Sequence, residues 1–262
     1  MGNNPNPTAY PTAPPQNYMG NNSQMKSFDD MGSHQDGGFL DNFSKLRGDD
    51  ERQGFVVKVF GIMGVQTLVT GLFVAYVALN EGSRSFFNEY NPLLYISFVA
   101  TIGIMYALVC FKSIARAVPT NYILLGIFTI CESFIVATIA AEYDPESVLM
   151  AAIYAVGLFS ILTIYACSTK GDIGCMGPII MTSVILGFLT LFLVILFPSR
   201  TMTLIFCWVG LIITCIYVIY DVYLITEKHG LDYDDYIIGA LLIYLDLINL
   251  FIYILSIIGD RR

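Results

Sequence analysis

Charge is what this sequence has least of. Only 13% of its 262 residues are Asp, Glu, Lys or Arg, where a water-soluble chain carries about 25%, and that deficit excludes a soluble domain. The formal net charge is −8 with no basic stripe, so nucleic acid is not an expected partner. Histidine is scarce, at two residues, and His229 reads as a solvated loop residue rather than a metal ligand or pH sensor. The six cysteines are Cys110, Cys131, Cys167, Cys175, Cys207 and Cys215, and no two form a CxxC pair. All but Cys175 fall in or beside apolar runs, which suits small buried hydrophobes and excludes a disulfide framework or zinc site. Metal cage, nucleotide loop and nucleophile constellation are all missing, so neither a cofactor nor an enzymatic activity is expected.

What the chain has instead is hydrocarbon. Hydrophobic residues make up 56%, grouped in blocks near 55–79, 92–111, 121–141, 147–167, 177–197, 201–225 and 236–258. Each block is about the ~20 residues that a helix needs to cross a bilayer. The expectation is an all-α integral membrane protein of seven spans. Connections such as FPSRTM and EYDPES are short enough to make consecutive helices antiparallel neighbours. Asp232 is the expected N-cap of the last helix, and Gly259 follows its end.

Residues 1–50 are expected to form a separate, disordered cytosolic tail before the seven-helix domain at 51–262. The opening MGNNPNPTAYPTAPPQNYMGNNSQ has almost no aliphatic residues with which to build a core. It has no apolar h-region of a signal peptide and no Ser or Thr at the sixth position for myristoylation. Pro11-Thr12-Ala13-Pro14 resembles a docking motif for endosomal-sorting adaptors, although Pro-rich tails produce such matches by chance. Lys45, Arg47, Arg52, Lys58, Lys112, Arg116, Lys170 and Lys228 fall on the side of the tail, which places it in the cytosol by the positive-inside rule. The sequons at Asn21 and Asn42 are then expected to be unglycosylated. The opposite side holds Glu81, Glu89, Glu142, Asp144 and Glu146 against Arg84 and Arg200. That is either a cation-collecting mouth or a set of solvated loop charges. The terminal Arg261 and Arg262 break the pattern, and would suit a re-entrant last helix.

Polar residues inside the blocks carry the functional signal. LIYLDLINLF places Asp246 in a span, and VIYDVYLI does the same with Asp221. Each acid costs roughly 2.5–3.5 kcal/mol at a bilayer's centre. Gly239, Leu242, Asp246, Asn249 and Tyr253 share one helical face, as do Thr214, Tyr217 and Asp221, and both faces should turn inward. Glu132 is a third buried acid, on a face with Thr129. Gly157, Ser160, Thr163 and Cys167 form a small-residue stripe that suits close helix packing. Asp221 and Asp246 could each be a protonated, hydrogen-bonded strut. In contact, they would instead share a proton and titrate as a unit, separating when both are charged. Helix counting permits that contact without requiring it.

From about Arg52 to Gly259 the chain resembles the lifeguard branch of the Bax-inhibitor-motif membrane family, which includes the NMDA-receptor-associated glutamate-binding-like proteins. The stretches that carry the resemblance are RQGFVVKVFGIMGVQTLVTG, ESFIVATIAAEYD, CMGPI, YDVYLI and DYIIGALLIYLDLINLFIYILSIIG. The resemblance implies a seven-helix bundle with the C-terminal helix at its centre. It also implies residence in endoplasmic reticulum, Golgi or related endomembranes, a pH-sensitive Ca2+ leak, and suppression of cell death. It maps the family's aspartate pair onto Asp221 and Asp246. Lys112 is the nearest candidate for a basic latch on one of those aspartates, or else a snorkelling interface anchor. Glu132, Asn249 and Tyr217 are candidate pore-lining groups. The partners implied are Ca2+ as the permeant ion, membrane lipids and apoptosis regulators.

The alternatives are a non-transporting scaffold for death-regulatory or receptor partners, an intramembrane aspartyl protease and a seven-helix receptor. Tyr220-Asp221 fits the protease pattern, but the Gly-x-Gly-Asp and Pro-Ala-Leu motifs are absent. An Asp-Arg-Tyr-like receptor motif is absent as well.

Overall fold

A chain in hydrocarbon can satisfy its backbone N–H and C=O groups only within helices or a closed barrel, and these apolar runs take the first solution. The computed structural model describes residues 22–83, 91–168, 176–226 and 231–261. Among the described residues, seven helices are long and apolar enough to span a membrane. They are α1 (Asn22–Leu79), α2 (Asn91–Cys110), α3 (Thr120–Ala141), α4 (Pro145–Ser168), α5 (Met176–Leu196), α6 (Arg200–Thr226) and α7 (Tyr236–Ile258). Residues 1–49 form a unit of their own. Although the sequence there suggests an unstructured tail, α1 is already helical from Asn22, and its membrane-spanning part is Asp50–Leu79. The PTAP tetrapeptide, Asn21, Arg84, Glu89, Lys170, Cys175, Lys228, His229 and Arg262 lie outside the described residues.

The bundle is built around α7. Half or more of the most apolar window is buried in α7 (56%) and α3 (50%), against 6% in α5. α7 packs against α3, α4 and α6, while α5 packs against α6. Small side chains allow the close approach: Ala137 and Ala140 on α3, Ala151 and Ala155 on α4, and Ala240 on α7 are all buried. The expected packing stripe on α4 is therefore displaced. Gly157, Ser160 and Cys167 are exposed, and the buried face runs through Val148, Ala151, Ala155, Phe159 and Ala166. Ser160 can face lipid because its hydroxyl donates to the Val156 carbonyl at 2.7 Å.

The C-terminal segment shows that α7 crosses completely. Past Ile258, the Asp144 N–H donates to the Asp260 carbonyl (3.1 Å), and Arg261 donates to the Tyr143 hydroxyl from Nε and Nη2 (both 3.2 Å). Arg261 also lies 4.0 Å from Glu142. At its other end, α7 is joined through Asp235 to the connection between α2 and α3. α3 links the same two places, so α3 and α7 run parallel through the same thickness. The terminal arginine does not mark a re-entrant helix; it is held by the loop between α3 and α4.

Candidate functional site

Asp221 sits five residues before the end of α6 and Asp246 ten residues after the start of α7. That puts them ~7.5 Å and ~15 Å from their helix ends. The offset is absorbed at the start of α7, which begins at Tyr236 and not at the expected Asp232. Asp235 is held by Lys112 and Arg116, which follow the last residue of α2. The first turns of α7 thus stand beyond the apolar span of its neighbour, and Asp246 comes level with Asp221. The two carboxyl groups are hydrogen-bonded to each other. Both residues are buried, 8% and 7% exposed. Fully enclosed apolar side chains flank them, including Val218 and Val222 on α6 and Ile243 on α7. Asp246 Oδ2 has no partner among the described residues.

Lys112 does not latch either of these aspartates. Its Nζ lies 3.3 Å from Asp235 Oδ2 and 3.9 Å from Asp232 Oδ2. Arg116 forms the tighter half of the cluster, with Nε 2.7 Å from Asp235 Oδ1 and Nη2 2.7 Å from Asp232 Oδ2. The reason is positional. The single turn Lys112–Ala115 after α2 directs both cations toward the entry of α7, where Asp235 is fully buried and needs compensating charge. Burial works to raise the Asp235 carboxyl, but hydrogen bonds from Arg116 and Lys112 outweigh it and hold it below the ordinary range. A carboxylate lowered on folding contributes stability above its unfolded value of about 3.9 and loses it only as pH falls through the folded value. The Asp235 carboxyl is therefore ionised across about pH 5 to 8. Asp235→Asn is expected to destabilise the protein by about 1–2 kcal/mol, equally at both ends of that range. Thermal melting in detergent at each pH measures it.

Arg52 completes the clamp at the end of the bundle where α7 begins. It donates to the Leu231 carbonyl (2.8 Å) and the Leu224 carbonyl (3.0 Å), and its guanidinium lies over the rings of Phe55 and Tyr233. Leu224 is in the last turn of α6, where carbonyls lack helical partners and favour a cation. The clamp thus joins α1 to the connection between the two aspartate-bearing helices.

Glu132 is buried on α3, and the structure does not bring it into the aspartate pair. It adjoins a polar layer of another composition. Tyr244 OH and Thr70 Oγ1 are 2.8 Å apart, as are Thr70 Oγ1 and Ser133 Oγ. Gln66 Nε2 donates to Thr129 Oγ1 at 2.9 Å. This layer ties α1 and α3 to α7 and was missed in the sequence. Its one signal is the i, i+4 spacing of Gln66 with Thr70 and of Thr129 with Ser133. Asn249 is exposed and does not face inward with Asp246; the helices packed closely on α7 are α3, α4 and α6, and they leave its side of the helix open. Tyr217 is half-buried, accepts a 3.3 Å hydrogen bond from Ser183 of α5, and lines a cavity of about 270 Å3 between α5 and α6. Thr214 is buried on the same face of α6.

Residues 52–262 match the family described as Inhibitor of apoptosis-promoting Bax1. The chain belongs to the Bax-inhibitor family. The match opens at Arg52 of the clamp and takes in the latch, the polar layer and both aspartates. Relatives within the family come from animals, plants and a virus. Protein lifeguard 4 of Mus musculus is 31% identical over 205 residues, covering 78% of this chain and 84% of its own. A BI1-like protein of Arabidopsis thaliana is 32% identical over 216 residues, covering 80% and 82%. The Golgi anti-apoptotic protein of vaccinia virus (strain Lister) is 28% identical over 207 residues, covering 79% and 85%.

Proposed function

We propose that this multi-pass membrane protein suppresses cell death by acting as a proton-sensitive Ca2+ leak of the Golgi, the endoplasmic reticulum or another endomembrane. Asp221 and Asp246 form its gate. The observation that carries the reading is their contact: two buried carboxyl groups on adjacent helices, hydrogen-bonded to one another. The names of the relatives support the cell-death role, and the viral one supports a Golgi membrane. With a proton between them the acids hold α6 against α7; without it, two like charges face each other and favour separation. The latch at Asp235 keeps its charge through the same pH range, so it fixes the end of α7 while the pair switches. Asn249 and Tyr217 are less suited to a pore than the aspartates, being exposed and bonded to α5 respectively.

The test is Ca2+ efflux from liposomes reconstituted with the purified protein, followed from about pH 5 to 8. Efflux above that of protein-free liposomes, and varying with pH, supports the reading. Efflux at the protein-free rate throughout overturns it.

A further inference from the structure

A cavity of about 480 Å3 lies between α1 and α4, with α7 at its back and no place in the gate. Its size falls within the roughly 300–1,000 Å3 of small-molecule sites. Along α1 the lining runs from Thr67 to Leu79, which is ~18 Å of helix. The walls are hydrocarbon, chiefly Val74, Val148, Ala152, Ala155, Leu247 and Phe251. The hydroxyl of Thr70, at the deep end, is already bonded to Gln66, Ser133 and Tyr244. Among the described residues, the Thr67 hydroxyl is the one buried side-chain oxygen of the lining without a partner, so the walls present a hydrocarbon chain with a single polar group.

Two observations decide the occupant. The rim residues Leu79, Leu149 and Val156 are 78%, 62% and 52% exposed, so the cavity is continuous with the lipid-facing surface of α1 and α4. Among the described residues, Glu146, exposed in the first turn of α4, is the one charged residue of the lining. It lies at the end remote from the Arg116 latch. A carboxylate or phosphate head entering there meets a like charge, whereas an ammonium head meets an opposite one.

We propose that this cavity binds a single-chain amphiphile with a cationic amine head, its hydrocarbon tail between α1 and α4 and its ammonium at Glu146. The site is independent of Ca2+ leak and does not rest on that reading. Gly71 gives a clean way to block it. Gly71 lines the cavity and a Cβ there would meet no atom within 4 Å, so a side chain at this position starts from open space.

The experiment is photolabelling of the full-length protein in neutral-lipid vesicles with diazirine analogues of hexadecylamine and hexadecanoate, the adducts being mapped by mass spectrometry. The amine probe is expected to label cavity residues such as Val148 and Leu247, and unlabelled hexadecylamine to compete. It should exceed the carboxylate probe by about fivefold, as one partly exposed charge pair gives. Glu146→Gln should abolish that preference while leaving labelling in place. Gly71→Leu should remove the cavity adducts, and Ala75→Leu, on the same wall, serves if the first variant does not fold. Adducts spread evenly over the lipid-facing helices, equal labelling by both probes, or labelling unchanged in a folded Gly71→Leu or Ala75→Leu protein would each overturn the proposal.

Discussion

Asp221→Asn and Asp246→Asn are each expected to flatten the pH dependence of Ca2+ efflux, and the double substitution to add nothing further. Two interacting acids lose protons as a pair, not as separate sites, so removing either charge removes the whole switch. An asparagine in place of one acid preserves a hydrogen bond to the other, so the helices stay together. What disappears is the repulsion between two carboxylates. At ~4 Å and an effective dielectric near 20, that repulsion is worth about 4 kcal/mol. Such a difference shifts a two-state equilibrium roughly a thousandfold. The double variant separates this account from one in which each acid is an independent strut. Independent struts give additive effects on stability and flux; a shared proton makes the double variant equal to either single one. Efflux traces of the four proteins over the same pH series provide the comparison.

The second large effect belongs to Arg52. Arg52→Ala is expected to destabilise the folded protein by about 3 kcal/mol, from two charge-assisted hydrogen bonds lost together with the packing of a buried side chain. The Leu231 carbonyl loses its 2.8 Å donor, and the rings of Phe55 and Tyr233 lose the guanidinium that lies over both. Arg52→Lys should recover only part of this. An ammonium is a point charge and cannot match the fork that reaches Leu224 and Leu231 at once. Because those carbonyls belong to the end of α6 and the entry to α7, the alanine variant should also loosen the aspartate pair. Faster amide exchange in the last turn of α6 would show it, and unchanged exchange with an unchanged melting point would count against the clamp.

The spans were legible because bilayer thickness writes itself into sequence as block length. The blocks expected near 201–225 and 236–258 match α6 at Arg200–Thr226 and α7 at Tyr236–Ile258. The acids were legible for a related reason, since a carboxylate in a span has few innocent explanations. What the sequence hid was the partner of each polar group. The sequence offers Lys112 as a latch for the intramembrane aspartates, yet the turn after α2 carries it to Asp235. Asn249 shares a helical face with Asp246, but α7 is not enclosed on that side, and helical periodicity says nothing about which neighbours close a face. Thr70, Ser133 and Tyr244 sit in different helices and each is unremarkable alone; only their packing makes them a layer. The α4 stripe failed for a complementary reason. Alanine is as small as a packing residue needs to be, so Ala151 and Ala155 took the interface and left Gly157 and Ser160 outside.

Infrared difference spectroscopy of the reconstituted protein, titrated from about pH 5 to 8, tests the shared proton most directly, because it reads the carboxyl groups themselves. The account predicts one protonated-carboxyl band that vanishes along the titration in the native protein, and whose loss over that pH range is absent from both Asp221→Asn and Asp246→Asn. If each single variant instead keeps its own titrating band, the two acids hold separate protons and the gate is not a pair.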